Sequence, residues 1–273
     1  MHENVVVSAD WLADRLGGSD RLDGVADRSG EVAVVDVRDA WEYDGIGHVP
    51  GAVNIPFEEF RSGGDADEGT LPGADAWADL LGEAGISADD TVVAYDDTHG
   101  VFAARFLVTA ECYGHEDLHL LDGDYSSWMR DHETSSETPE IEPTTYAVRE
   151  PDDSPLVGRE TVEDAMDDPD AVIVDTRDGW EFEEGHVPGA VNLDWRELVD
   201  EETRGLRPRA QLESILADHR VTPDKRVVLY CNTARRISHT YVVLSSLGYD
   251  QLAFYEGSLT EWEAVGGPIE TGS

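Results

Sequence analysis

Lysine is nearly missing from this chain. Of 19 basic residues Lys225 alone is a lysine, and the rest are arginines set against 60 Asp and Glu, for a formal net charge of −41. A balance so far to the acid side repels nucleic acid and anionic membrane surfaces, and excludes both as partners. Cysteine is scarce too. Cys112 and Cys231 stand far apart, which predicts independent, reduced thiols rather than a disulfide. There is no Cys-x-x-Cys pair and no His/Cys cluster at ligand spacing, so no metal site is expected. A Gly-rich phosphate loop and a dinucleotide fingerprint are also lacking, so no cofactor is implied. No apolar run approaches the ~18 residues of a membrane span. Met1-His2-Glu3-Asn4 lacks the basic and apolar regions of a signal peptide, so a cytoplasmic location is expected.

What the chain has is a repeat. Asp36-Val37-Arg38-Asp39-Ala40-Trp41-Glu42-Tyr43 returns as Asp175-Thr176-Arg177-Asp178-Gly179-Trp180-Glu181-Phe182. Gly47-His48-Val49-Pro50-Gly51-Ala52-Val53-Asn54 returns unchanged as Gly185 to Asn192. Val92-Val93-Ala94-Tyr95 matches Val227-Val228-Leu229-Tyr230, and Leu121 to Trp128 parallels Tyr255 to Trp262. The period is far too long for a solenoid, so it marks tandem domains. Each half opens with a helical pattern, Ala9 to Leu16 and Gly158 to Met166. A strand follows in each, Val32 to Val37 and Ala171 to Thr176. Apolar strands alternating with helices predict an α/β fold, a mainly parallel sheet with helices on both faces of each domain. The Ser-, Thr-, Glu- and Pro-rich stretch from Asp131 to Pro155 reads as extended. The first domain is placed at 1–140, the linker at 141–156 and the second domain at 157–273.

Chemistry is suggested at one place. Val227 to Tyr230 reads as a buried strand that delivers Cys231 into the polar loop Asn232-Thr233-Ala234-Arg235-Arg236. A helix, Ser238 to Leu247, follows and is closed by Gly248. A thiol between a strand end and a helix start meets the helix dipole, loop N–H groups and two full positive charges, all of which favour thiolate. A packing cysteine would not lead into so polar a loop, so Cys231 reads as a nucleophile. The repeat supplies a control: Asp96 stands where Cys231 stands, followed by Asp97-Thr98-His99-Gly100, with no arginine before Arg105. A carboxylate cannot act as a thiol would, so the first domain reads as catalytically silent. The Gly-His-Val-Pro-Gly segments and the Asp-x-Arg pairs occur in both halves and therefore read as scaffold. Glu256 also reads as structural, and Cys112 reads as helix core within Phe102 to Tyr113.

These motifs together resemble the two-domain form of the rhodanese family of sulfurtransferases. The likeness rests on Asp-x-Arg…Glu-Phe, on Gly-His-Val-Pro-Gly-Ala-Val-Asn in both halves, on Tyr-Cys-x-x-x-x-Arg and on Glu256-Gly257-Ser258-Leu259-Thr260-Glu261-Trp262. Cys231, Arg236, Ser238, His239 and Thr240 match the loop of bacterial and archaeal thiosulfate sulfurtransferases. Asn232 replaces the usual Arg there, and Ala234 the usual Gly, which would be strained if that position needs positive φ. The acidic, lysine-poor surface resembles that of salt-adapted cytoplasmic proteins, such as those of archaea, where salt screens self-repulsion. The resemblance implies a catalytic Cys231 that takes sulfur from thiosulfate and passes it to cyanide or a thiol through a persulfide. It implies donor binding by Arg236 and Arg235, with the backbone of Asn232, Thr233 and Ala234 lining the loop. Arg105 would either reach over from the silent domain to the donor or pair with a surface carboxylate. Family enzymes that use 3-mercaptopyruvate carry a different loop and an Arg where this chain has Glu181, so that donor is the alternative. Phosphatases and arsenate reductases of this fold are a second alternative; they need five residues between Cys and Arg, where this chain has four.

Overall fold

The computed structural model describes residues 1–18, 32–63, 69–149, 151 and 154–272. The acidic runs at 65–68 and 152–153, and with them part of the expected linker, lie outside the described residues. In the first half the elements run β1 (Val6–Val7), α1 (Ala9–Gly18), β2 (Val32–Asp36), α2 (Ala40–Ile46), β3 (Val53–Asn54), a 3₁₀ turn (Phe57–Phe60), α3 (Ala74–Glu83), β4 (Thr91–Tyr95), α4 (Val101–Cys112), β5 (Leu118–Leu121) and α5 (Asp124–Asp131). The second half repeats them as β6 (Leu156–Val157), α6 (Arg159–Met166), β7 (Ala171–Asp175), α7 (Gly179–Glu184), β8 (Val191–Asn192), a 3₁₀ turn (Trp195–Leu198), α8 (Arg209–Asp218), β9 (Arg226–Tyr230), α9 (Arg235–Ser246), β10 (Leu252–Tyr255) and α10 (Ser258–Ala264). No described helix is long and apolar enough to cross a membrane.

Each half forms one five-stranded sheet, ordered β1-β5-β4-β2-β3 and β6-β10-β9-β7-β8, and every pairing is parallel. The register is the same in both copies, with Asp36 opposite Tyr95 and Asp175 opposite Tyr230. Val227 to Tyr230 are fully buried, as strands covered on both faces require.

The repeated motifs are scaffold. Asp36 holds Arg38 and Asp175 holds Arg177, each through paired guanidinium contacts. Each arginine also donates to the carbonyl ahead of the histidine, Gly47 or Gly185. The Tyr95 and Tyr230 hydroxyls accept the N–H of Val49 and Val187. His48 and His186 stack on Tyr43 and Phe182 and bond to the carbonyls of those residues.

A single apolar cluster runs through both domains, from Val35 and Phe106 to Val174, Ile237 and Leu244. Helices α4 and α9, buried along nearly their whole lengths, pack against each other at its centre. The domains therefore share a core instead of hanging on a linker.

The structure adds to the expectations at three places. Helix α9 starts at Arg235, not Ser238, because Ala234 takes a left-handed conformation and turns the chain into the helix at once. The short helices α2 and α7 carry too few residues to show a period, but each has a capping box, Asp39 with Glu42 and Asp178 with Glu181. Residues 141–149, part of the extended linker expected at 141–156, form no helix or strand and lie on the first domain. Thr144 and Arg149 donate backbone bonds to Gly82 and Tyr113, and Tyr146 is buried against Trp77 and His115. A buried aromatic ring gains more from packing than an extended chain gains from freedom.

Candidate active site

Cys231 sits at the C-terminal end of β9, the central strand of its sheet, where open parallel sheets place their sites. Its side chain is 2% exposed. The first turn of α10, just after β10, clamps its backbone. The Cys231 N–H donates to Ser258 Oγ at 3.1 Å and its carbonyl accepts from the Leu259 N–H at 3.0 Å. Thr260 Oγ1 donates to the Asn232 carbonyl at 2.9 Å. Ala234 is buried at φ +66°. Its carbonyl accepts both the Ser238 N–H and the Ser238 hydroxyl. The amino end of the 12-residue α9 thus follows directly on the thiol loop, which brings unpaired N–H groups and the positive helix end to it.

The two arginines have different fates. Arg236 forms an ion pair with Glu181, and Glu181 also accepts from Asn232 Nδ2 at 2.9 Å. Asn232 Oδ1 in turn faces Arg177 Nη1 at 3.4 Å. Glu181 thus ties the loop to α7 and neutralises Arg236. Arg235 has no carboxylate at ion-pair distance among the described residues; its guanidinium lies 4.8 Å from the Phe102 ring centre of the first domain. Burial, and then the neighbouring Arg236, push the Arg235 pKa down, while the charge of Cys231 acts the other way. The family match singled out Arg236, yet among the described residues it is Arg235 that keeps its charge without an ion-pair partner.

The first domain roofs the loop. Gly69 has φ +85°, and a Cβ there would stand 3.1 Å from Thr233 Cβ and 3.2 Å from the Thr233 carbonyl, so the two backbones need a residue without a side chain. Arg105 holds this contact. It crosses the domain seam as expected, but its charge goes to Glu256 Oε1 at 2.5 Å and to the Gly69 carbonyl at 3.1 Å. It is 1% exposed, so neither a surface ion pair nor an open donor contact describes it. Glu256 is structural in the same pairing.

Asp96 shows what such a loop does with an anion. Its Oδ1 accepts the N–H of Thr98 and Gly100, both at 2.8 Å, and its Oδ2 accepts those of Phe102 at 2.7 Å and Ala103 at 3.1 Å. The carboxylate fills a cup of amides. Full burial still raises its pKa to about 6, against the pull of those hydrogen bonds. By the repeat the corresponding amides are those of Thr233, Arg235, Ile237 and Ser238, of which Arg235 donates instead to the Thr233 carbonyl at 2.9 Å and Ser238 to that of Ala234 at 3.3 Å. The copies thus differ in more than the side chain: Asp96 takes four backbone N–H groups, whereas in the second copy two of the matching N–H groups go to loop carbonyls.

His239, one of the family-matched residues, is fully buried, and burial drives its pKa down to about 3. Its ring lies edge-on to Trp195 at 5.2 Å, so it packs the seam. Ser238 and Thr240 are also fully buried. Cys112 lies on α4 and burial pushes its thiol up to about 12, as suits a packing residue. Sequence reasoning missed Glu181, Ser258 and Gly69 as parts of this site. Only Glu181 had a local signal, the capping box. A cleft of about 390 Å³ opens beside Asn232, lined by Trp180, Glu181, Glu184 and Leu259.

Comparison with known proteins agrees with the geometry. The rhodanese-like domain pattern matches residues 8–131 and again 159–265. The thiosulfate sulfurtransferase of Corynebacterium glutamicum is 34% identical over 99% of this chain and 92% of its own length. That of Pseudomonas aeruginosa is 32% identical over 94% and 93%, and that of Azotobacter vinelandii 31% over 85% and 88%. Among solved structures, an anaerobic ergothioneine biosynthesis enzyme from Chlorobium limicola superposes with a TM-score of 0.84 at 21% identity, covering 99% of this chain and 71% of that one. Wild-type EanB gives 0.83 at 21% identity over 99% and 70%. At such identities these two show the fold alone.

Proposed function

Because the chain belongs to the rhodanese-like domain family, we propose that it is a thiosulfate sulfurtransferase in which Cys231 carries the sulfur. The observation that carries this reading is the contrast between the two equivalent loops. In one the Asp96 carboxylate takes four backbone N–H groups; in the other a buried thiol stands at the same strand end, just ahead of a helix start and near Arg235, which has no ion-pair partner among the described residues. A cup that accepts an internal anion suits a thiolate and the persulfide formed from it.

In the first half-reaction the Cys231 thiolate attacks the outer sulfur of thiosulfate. The Cys231 S–S bond forms as the S–S bond of the donor breaks, and sulfite leaves with the electron pair. In the second, a nucleophile takes the terminal sulfur and returns Cys231 to thiolate. The acceptor is cyanide in an assay and a thiol in the cell. There is no net change of oxidation state at the enzyme, and covalent two-step transfer gives ping-pong kinetics. The roles are then distinct. The Thr233-to-Ser238 amides hold the sulfur, and Arg235 draws in the dianion. Arg236 contributes when its pairing with Glu181 loosens. The first domain, 1–140, is silent and roofs the site through Gly69 and Arg105. Four residues between Cys231 and Arg236 suit sulfur better than a tetrahedral phosphate, which needs the longer loop. The acidic surface supports work in a salty interior.

The test is mass spectrometry after incubation with thiosulfate in high salt. Wild type should gain one sulfur, removable by cyanide, and Cys231→Ser should gain none. If no sulfane donor leaves an adduct, the reading fails. Aryl phosphate hydrolysis that depends on Cys231 would replace it with the phosphatase.

A further inference from the structure

At the opposite end of the first sheet from the Asp96 loop, three metal-ligating side chains converge. His119 lies on β5, Asp117 just ahead of it, and His2 comes in from the segment before β1. Their ligand atoms all fall within 4.8 Å of one another. His119 Nε2 is 3.0 Å from Asp117 Oδ1, and His2 Nε2 is 3.9 Å from the same oxygen. Ligands of one zinc-like ion, each bound at about 2.0–2.2 Å, stand roughly 3–3.5 Å apart. The observed spacing therefore needs only a small inward movement of His2.

The hydrogen bonds around His119 point the same way. Its Nδ1 is 3.0 Å from the Asn4 carbonyl, which can only accept, so Nδ1 carries the proton. Nε2 then directs its lone pair at a carboxylate oxygen. Two acceptors at 3.0 Å require a cation between or beside them, either a second proton on the ring or a metal ion. The other Asp117 oxygen is already engaged by the Thr91 hydroxyl at 2.5 Å, which leaves Oδ1 for the shared site. Trp11 packs 4.7 Å from the His119 ring and fixes its plane. An imidazole oriented by a backbone carbonyl and walled by packing is how proteins prepare a metal ligand. One contact opposes ligation. The Asn4 N–H donates to His2 Nδ1 at 3.2 Å. Binding through His2 Nε2 moves the proton to Nδ1 and gives up this long bond, so His2 is the weaker ligand of the two.

We propose that His119, Asp117 and His2 form a binding site for one borderline divalent transition-metal ion, of the Zn²⁺, Co²⁺ or Ni²⁺ class. Two imidazoles and one carboxylate suit these ions better than Mg²⁺ or Ca²⁺. Three protein ligands leave a position for water. The site has no part in sulfur transfer. It clips the amino-terminal segment to β5, and that segment also meets the second domain, since Glu3 Oε1 lies 2.8 Å from where a Cβ on Gly248 would stand. Metal binding would thus fasten the seam between the domains at the pole away from Cys231. The sequence hid this site because His2 is remote from Asp117 and His119, and no local ligand spacing exists.

The experiment is a Co²⁺ titration of the metal-stripped full chain, followed by visible absorption and by thermal unfolding, then competition with Zn²⁺. It is run in molar KCl to suppress loose cation binding to the acidic surface. One equivalent of Co²⁺ should bind and raise the unfolding temperature. His119→Ala should abolish the saturable binding, and the exposed-site variant His2→Ala, which leaves the core intact, should weaken it about tenfold or more. Cys231→Ser and Cys112→Ser should bind as wild type does. Absence of saturable binding, binding unchanged in both histidine variants, or binding lost with Cys231→Ser would each overturn the proposal.

Discussion

Glu181 and Arg236 form an ion pair on the rim of the Cys231 loop, and the same carboxylate holds the Asn232 amide. The guanidinium that the sequence offers for donor binding is therefore already neutralised. Glu181→Gln has one acceptor oxygen, which can keep the bond from Asn232 but not also the capping bond from the Asp178 N–H, and it frees the charge of Arg236. The expected result is a KM for thiosulfate lower by about three- to tenfold, with kcat little changed. Steady-state kinetics at low and molar salt check it, and screening should shrink the effect. A KM that rises would show that Glu181 serves the loop shape and not its charge.

Arg105 and Glu256 join the domains inside the seam, with side chains 1% and 17% exposed. Arg105→Met strands the Glu256 carboxylate and leaves the Gly69 carbonyl without its donor. Stability should fall by about 3–5 kcal/mol. The pair Arg105→Met with Glu256→Leu should recover much of that, because no lone charge remains. Urea unfolding of the two single variants and the double variant, closed as a cycle, measures the coupling. Simple additivity would refute it.

Ala234 stands at φ +66°, where its Cβ crowds the following carbonyl. Ala234→Gly removes that crowding and loses some chain entropy. The balance should stabilise the protein by about 0.5–1 kcal/mol. Denaturant midpoints at constant slope report it, and a lower midpoint would mean that the Ala methyl packs more than it strains.

Two buried groups make opposite contributions to stability between about pH 4 and 6. His239 keeps a pKa of about 3 against an ordinary 6.5. The unfolded chain takes up a proton that the native state refuses. Its stabilising share is present above pH 6.5 and is lost as pH falls towards 3, by up to about 5 kcal/mol. Asp96 has a pKa of about 6 against 3.8. The native state holds that proton longer, so its share is complete below pH 3.8 and is lost as pH rises through 6, by about 3 kcal/mol. Imidazole NMR should find His239 neutral down to pH 5. The stability of wild type relative to Asp96→Asn should rise as pH drops from 7 to 4, and a flat difference would contradict the buried, protonated carboxyl.

How much of this was legible beforehand depends on the range of the interactions. The duplicated Asp-x-Arg and Gly-His-Val-Pro-Gly segments predicted two equivalent sheets, and the sheets share order and register. The apolar run to Tyr230 placed Cys231 at a strand end, and the same alignment placed Asp96 in the other copy. Those signals are local. Periodicity and turn residues act over a few positions and survive in the linear text. The start of α9 was misplaced because its first turn is polar. That residues 141–149 lie on the first domain was not legible, because Tyr146 owes its burial to Trp77 and His115, far off in the chain.

The sequence by itself thus determined the architecture, the duplication, the thiol at the end of the central strand and the absence of one from its counterpart. Tertiary structure alone decided which charges are free and which are spent. Glu181 neutralises Arg236, Arg235 faces Phe102, Arg105 belongs to Glu256, and four amides fill themselves with Asp96. The physical reason is that an ion pair or an amide cup depends on the convergence of groups from separate elements. Among 60 carboxylates, composition offers every arginine a partner, and only the packing of two domains on one core selects which it receives.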